Sequence, residues 1–142
     1  MEIMTDIFGM LTYEETDVLT FSEGLYGFET AKEFILIQIP ETPYWSLQSI
    51  DVEDLAFTVT TPFAFYTEYD FEISEQVVKQ LCLDSLNDME IYNIIVLRDP
   101  LVESTFNLKA PLVINTEKRI AKQVILNEDF PLKFQFLLNV EE

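Results

Sequence analysis

The sequence predicts an all-β fold with one short helix: a small antiparallel β-barrel-like domain spanning residues 1–142. Three observations predict it. Apolar and polar residues alternate with period 2 in short runs. Pro, Gly and Asn/Asp punctuate those runs at close intervals. One stretch alone, after Ser74, switches to helical spacing.

Taken in chain order, Phe34-Ile35-Leu36-Ile37-Gln38-Ile39 is a β-branched run that Pro40 stops. Leu55, Phe57 and Val59 alternate with Ala56, Thr58 and Thr60 until Pro62 breaks the strand. Ser74 suits a helix N-cap, and Val77, Val78 and Leu81 follow at helical spacing, which predicts a helix over 74–82. Ser85-Leu86-Asn87-Asp88 has capping-box spacing and predicts a further turn. Glu90 to Leu97 carries Ile94-Ile95-Val96 and reads as a strand apolar on both faces, hence central. Leu112-Val113-Ile114 and Gln123-Val124-Ile125-Leu126 are further strands. Last, Phe130, Leu132, Phe134, Phe136 and Leu138 share one face of a strand, with Lys133, Gln135 and Asn139 opposite. About nine strands and one helix suit a closed or nearly closed barrel, which hides strand edges.

Composition bounds the function. A chain of 142 residues with 49% hydrophobic residues suits one folded domain with one core. Net charge is −18, from 26 acidic and 8 basic side chains. Before Arg98 the basic residues are Lys32 and Lys79 alone. Nucleic acids bind through Lys and Arg contacts that release counterions, and anionic membranes attract the same residues, so neither is an expected partner. A basic protein is the electrostatic complement, although acidity also serves solubility. Cys82 is the single cysteine, which suits a reducing compartment. Met1 to Asp6 lacks the basic and apolar regions of a signal peptide, and no apolar run approaches the ~20 residues of a membrane helix. A soluble cytoplasmic protein is expected.

The chemistry available is narrow. Without histidine there is no Ser-His-Asp or Cys-His system and no His-ligated zinc or haem. One cysteine builds no thiolate cluster, and Cys82, between Leu81 and Leu83, reads as a small buried hydrophobe. Glu68, Asp70 and Glu72 fall on one face of an extended segment, with Tyr69, Phe71 and Ile73 opposite. Such a comb suits a hard cation or a carboxylate-dependent hydrolase, but it lacks the EF-hand ligand order. A solvated strand face is the better reading, and no metal or cofactor is expected. Gly24-Leu25-Tyr26-Gly27 has the spacing of an RNA-clamping loop, but Glu23 and Glu29 flank it and would repel phosphate. It reads as a tight turn, with Leu25 and Phe28 anchored in the core.

That turn also begins a family pattern. Phe21-Ser22-Glu23-Gly24-Leu25-Tyr26-Gly27-Phe28-Glu29 resembles the F-x-x-G-L-x-G-F-E signature of the FliW family, with Tyr26 where many members carry Pro. Trp45-Ser46-Leu47-Gln48-Ser49-Ile50-Asp51 is similar to its L-Q-S-x-D segment, and Ala56-Phe57-Thr58-Val59 before Pro62 to its A-F-x-V-x-x-P strand. Asn107-Leu108-Lys109-Ala110-Pro111-Leu112-Val113-Ile114-Asn115 matches its N-L-x-A-P-x-x-I-N block, and Gln123 to Leu126 the strand after it. Singly these matches are weak; together, in order, they are specific.

The resemblance implies a small monomeric barrel-like protein of the bacterial cytoplasm, without catalysis. It implies two partners. One is newly made flagellin, bound near its C-terminal region. The other is CsrA, a small dimeric RNA-binding protein that represses flagellin translation. Flagellin and CsrA compete, so export of flagellin frees the factor to capture CsrA and relieve repression. Tyr44, Trp45, Phe63, Phe65, Tyr66 and Tyr69 are candidate lining for an apolar groove, each with core packing as the alternative. Trp45 is the preferred anchor. Gln48, Ser49 and Asp51 are candidate contacts, set against a buried polar network. Asp51-Val52-Glu53-Asp54 is a candidate acidic contact, set against a solvated turn. Phe21, Gly24, Leu25, Gly27, Phe28, Asn107, Pro111 and Asn115 are read as structural.

Overall fold

Residues 1–5, 8–61, 71–84, 88–96 and 104–131 are described by the computed structural model. Two strands form a hairpin, β1 (Glu2–Thr5) and β2 (Gly9–Thr12). A 3-10 turn, Glu15–Asp17, leads into β3 (Val18–Phe21). Then come β4 (Glu33–Gln38), β5 (Tyr44–Ser49), β6 (Ala56–Thr60) and the helix α1 (Glu75–Gln80). The order ends with β7 (Met89–Val96), β8 (Thr105–Phe106), β9 (Leu112–Asn115) and β10 (Ile120–Gln123).

Seven of these strands close a barrel. The order β6-β5-β4-β3-β10-β9-β7 returns to β6 through the Thr58↔Ile95 to Thr60↔Asn93 pairing. The expected antiparallel arrangement holds at every join of the ring except one: β10 runs parallel to β3, Ile120 against Thr20 and Ala121 against Phe21. A ring with an odd number of strands cannot alternate direction all the way round, so one neighbouring pair has to run parallel. β8 adds to β7 beside β9.

Two apolar layers result from the strand period of 2. Leu19, Phe21, Phe34, Leu47, Val59, Tyr92, Leu112 and Ile114 point into the barrel. Phe21 and Phe34 meet edge-on there, 5.5 Å between centroids. The alternate residues Ile91, Ile95 and Val113 face outward, where Val77 of α1 and Leu81 just after it cover them. All of β9 is therefore buried, and β7 is buried on both faces along most of its length, as its sequence predicts.

Three sequence expectations are corrected. The last barrel strand is Ile120–Gln123, so of 123–126 Gln123 alone lies in a strand; β3, the neighbour it would continue along, ends at Phe21. Cys82 is exposed rather than buried: α1 ends at Gln80, and the chain turns left-handed at Cys82 (φ 52°), which swings its thiol outward. Phe28, expected in the core with Leu25, is 43% exposed, while Leu25 is buried. The helix itself is as expected, with the Ser74 hydroxyl accepting the Val77 N–H. Pro62, the turn after Ser85, and all but the first two residues of the strand expected from Phe130 to Leu138 lie outside the described residues; Phe130 and Pro131 are not in a strand.

Candidate functional site

The candidate surface is the end of the barrel formed by the loops 22–32 and 50–55. Gly24 and Gly27 both have positive φ, +69° and +87°. The Gly24 N–H donates to Phe21 O, and the Phe28 N–H to Leu25 O, which closes the turn over buried Leu25. The Gly27 N–H donates to the Glu29 carboxylate (3.0 Å). This hydrogen bond, helped by the Glu29 N–H and by Lys32, holds the Glu29 carboxyl below the usual carboxylate range.

The second loop is tied to the first. One Asp51 carboxylate oxygen accepts the N–H groups of Lys32 (3.0 Å) and Glu33 (3.1 Å). The Lys32 ammonium donates to Ser22 O, and the Phe21 N–H to Lys32 O. Around this tie stand Glu23, Glu29, Glu33, Asp51, Glu53 and Asp54, all exposed. Between the acids, Tyr26, Phe28 and Val52 expose apolar surface, 57%, 43% and 39%. Phe28 rests edge-on against Phe57, 5.2 Å between centroids. The arrangement is a hydrogen-bonded, anionic surface carrying isolated apolar side chains, suited to a cationic, partly apolar polypeptide.

The other sequence candidates divide. Gln48 and Ser49 are interior and form the buried polar network that was the alternative to partner contact. The Gln48 amide donates to Ser49 O, Glu53 O and Leu55 O, and the Ser49 hydroxyl accepts from the Asp51 and Val52 N–H groups. Their role is to hold the 50–55 loop. Trp45 is no free anchor either: it packs half-buried against the barrel interior, edge-on to Tyr92 at 5.4 Å. Burial, reinforced by the Glu90 carboxylate, pushes the Tyr92 hydroxyl up to about 12. Tyr44 is half-buried against the outer layer. Asp51, Glu53 and Asp54 remain at the surface. Phe63, Phe65, Tyr66, Tyr69, Glu68 and Asp70 lie outside the described residues, and Glu72 is exposed. Among the described residues no group of three or more His, Cys, Asp or Glu is placed to hold a metal ion.

Sequence reasoning passed over Tyr26 as a contact residue, took Val52 only as part of an acidic segment and not as exposed apolar surface, and placed Phe28 in the core. A signal existed for Tyr26, an aromatic where Pro is the usual choice in the turn. For Val52, between Asp51 and Glu53, none did.

The family model FliW protein matches residues 2–136. The chain belongs to the FliW family. A relative from Exiguobacterium, called flagellar assembly factor FliW, is 42% identical over 135 residues, 94% of this chain and 93% of that protein. The flagellar assembly factor FliW of Bacillus subtilis is 35% identical over 129 residues, 90% of each chain. A crystal structure of the flagellar assembly factor FliW superposes with a TM-score of 0.91 at 35% identity, covering 96% of both chains. The family's signature residues have structural work here. Phe21 and Leu25 are buried, and Pro111 O accepts the Val124 N–H. Asn107 caps the following turn by accepting from Lys109 and Ala110. No helix among the described residues is long and apolar enough to cross a membrane.

Proposed function

We propose that this chain is a non-enzymatic partner-switch regulator of the bacterial cytoplasm. It binds flagellin at its C-terminal region and, when flagellin is exported, binds and antagonises CsrA, relieving repression of flagellin synthesis. The observation that carries this reading is the anionic barrel end, where Tyr26, Phe28 and Val52 stand among exposed carboxylates. Family membership supports the flagellar setting. An RNA-binding protein has to be basic, so a surface of this sign steers it in and needs no bond-breaking equipment. A flagellin terminus is amphipathic, and exposed aromatic and aliphatic side chains offer it apolar contact.

Stopped-flow association with CsrA tests the electrostatic part. The on-rate is expected to fall roughly tenfold between low and high ionic strength as the attraction is screened. Glu53→Lys with Asp54→Lys should slow association several-fold at low salt while leaving the melting temperature unchanged, because both side chains are exposed and neither makes a hydrogen bond or ion pair among the described residues. An on-rate indifferent to both salt and charge reversal contradicts the reading.

A further inference from the structure

Among the described residues, the chain running on from β10 leaves an edge open. Its parallel neighbour β3 stops at Phe21, and the chain then turns away through Gly24. Past Gln123, alternate residues still pair with the other side: the Val124 N–H donates to Pro111 O and the Leu126 N–H to Lys109 O. Backbone groups alternate sides along an extended chain, so Ile125 points its N–H and C=O towards the vacated side. Neither group has a partner among the described residues, and the residue is 55% exposed.

This edge borders a groove of about 420 Å³. Val124 and Leu126 form its floor with Val77 of α1, and Tyr26 of the Gly24 turn stands at its rim. Among the described residues, its charged side chains are Glu23, Glu72, Glu128 and Lys122. Lys122 is paired with Glu23, so the remaining carboxylates leave the groove anionic. Ser74, Gln76, Gln80 and Asn127 complete the polar wall.

We propose that this groove receives an extended, cationic segment of a polypeptide partner, which adds to the barrel as a strand beside Ile125. A helix has its backbone groups already paired and would leave Ile125 unsatisfied; an extended chain offers an N–H and a C=O at the required period. Alternate side chains of such a segment would fall on Val124 and Leu126, and intervening Lys or Arg would meet Glu72 and Glu128. The inference rests on the reading of the chain as a polypeptide binder and assigns that binding a second surface, apart from the 50–55 loop.

The test uses the whole chain and a capped, fluorescein-labelled octapeptide of alternating Lys and Val, read by anisotropy and by amide chemical shifts. Binding is expected, with the largest shifts at Ile125 and its neighbours. Methylating alternate peptide nitrogens should weaken it at least tenfold, since the strand pairing is lost while charge is kept. Glu72→Lys should weaken it several-fold, and a Glu-Val octapeptide should not bind. Binding that ignores N-methylation, or shifts confined to the 50–55 loop, overturns the proposal, as does no binding. If the probe fails while CsrA and flagellin still co-elute with the chain, the groove is discarded and the partner reading stands.

Discussion

Gly24→Ala is expected to lower the stability by about 3 kcal/mol or more. A Cβ on Gly24 would lie 2.6 Å from Glu29 Cα, 2.7 Å from Glu29 O and 2.8 Å from Glu29 C. All three are backbone atoms, so no side-chain rotation relieves the overlap. The left-handed φ of +69° adds roughly 1–2 kcal/mol for any residue with a Cβ. Gly27→Ala is the control. Its φ is +87°, but nothing lies within 4 Å of the added carbon, so it should carry the conformational cost alone, about 1–2 kcal/mol. Thermal unfolding should show Gly24→Ala down by about 10 °C, at ~2–4 °C per kcal/mol, with Gly27→Ala less affected. Equal losses would mean that the approach of the turn to Glu29 is not what demands glycine.

Asn115→Ala is expected to cost about 2–4 kcal/mol. Asn115 is 2% exposed and joins two parts of the fold. Its Nδ2 donates to Leu81 O (2.8 Å) and Cys82 O (3.2 Å), tying the end of α1 to β9. Its Oδ1 accepts the Glu117 and Lys118 N–H groups, both at 3.0 Å, which shapes the β9–β10 turn. Water can replace the partners in that exposed turn, so most of the loss arises at the buried Leu81 carbonyl. Denaturant unfolding measures the total. Asn115→Asp separates the two roles, because a carboxylate keeps the turn and repels the two carbonyls. Amide exchange in α1 should then quicken while the turn stays protected. Unchanged exchange in α1 would contradict the tether.

Where burial followed hydrophobicity, the sequence was readable. The runs at 34–39, 55–60 and 90–97 lie within a residue of β4, β6 and β7, and Ser74 caps α1 as its side chain suggests. β5 was recognisable only as a motif, because Ser46, Gln48 and Ser49 are polar yet buried, and period-2 patterning fails when the inward groups are satisfied by hydrogen bonds. The same three-dimensional bonding hid the role of Gln48 and Ser49, whose hydrogen bonds hold the acidic loop. Cys82 misled because its neighbours Leu81 and Leu83 are buried while the left-handed turn between them is invisible in composition. The short reach of β3 was equally unreadable, and with it the open edge at Ile125.

An anionic barrel surface that grips polypeptides is the claim on which the account depends. Size-exclusion of the purified chain at low salt with CsrA, followed by addition of flagellin, tests it most directly. A joint peak with CsrA that gives way to a joint peak with flagellin is the expected result. Separate elution of all three proteins would contradict it.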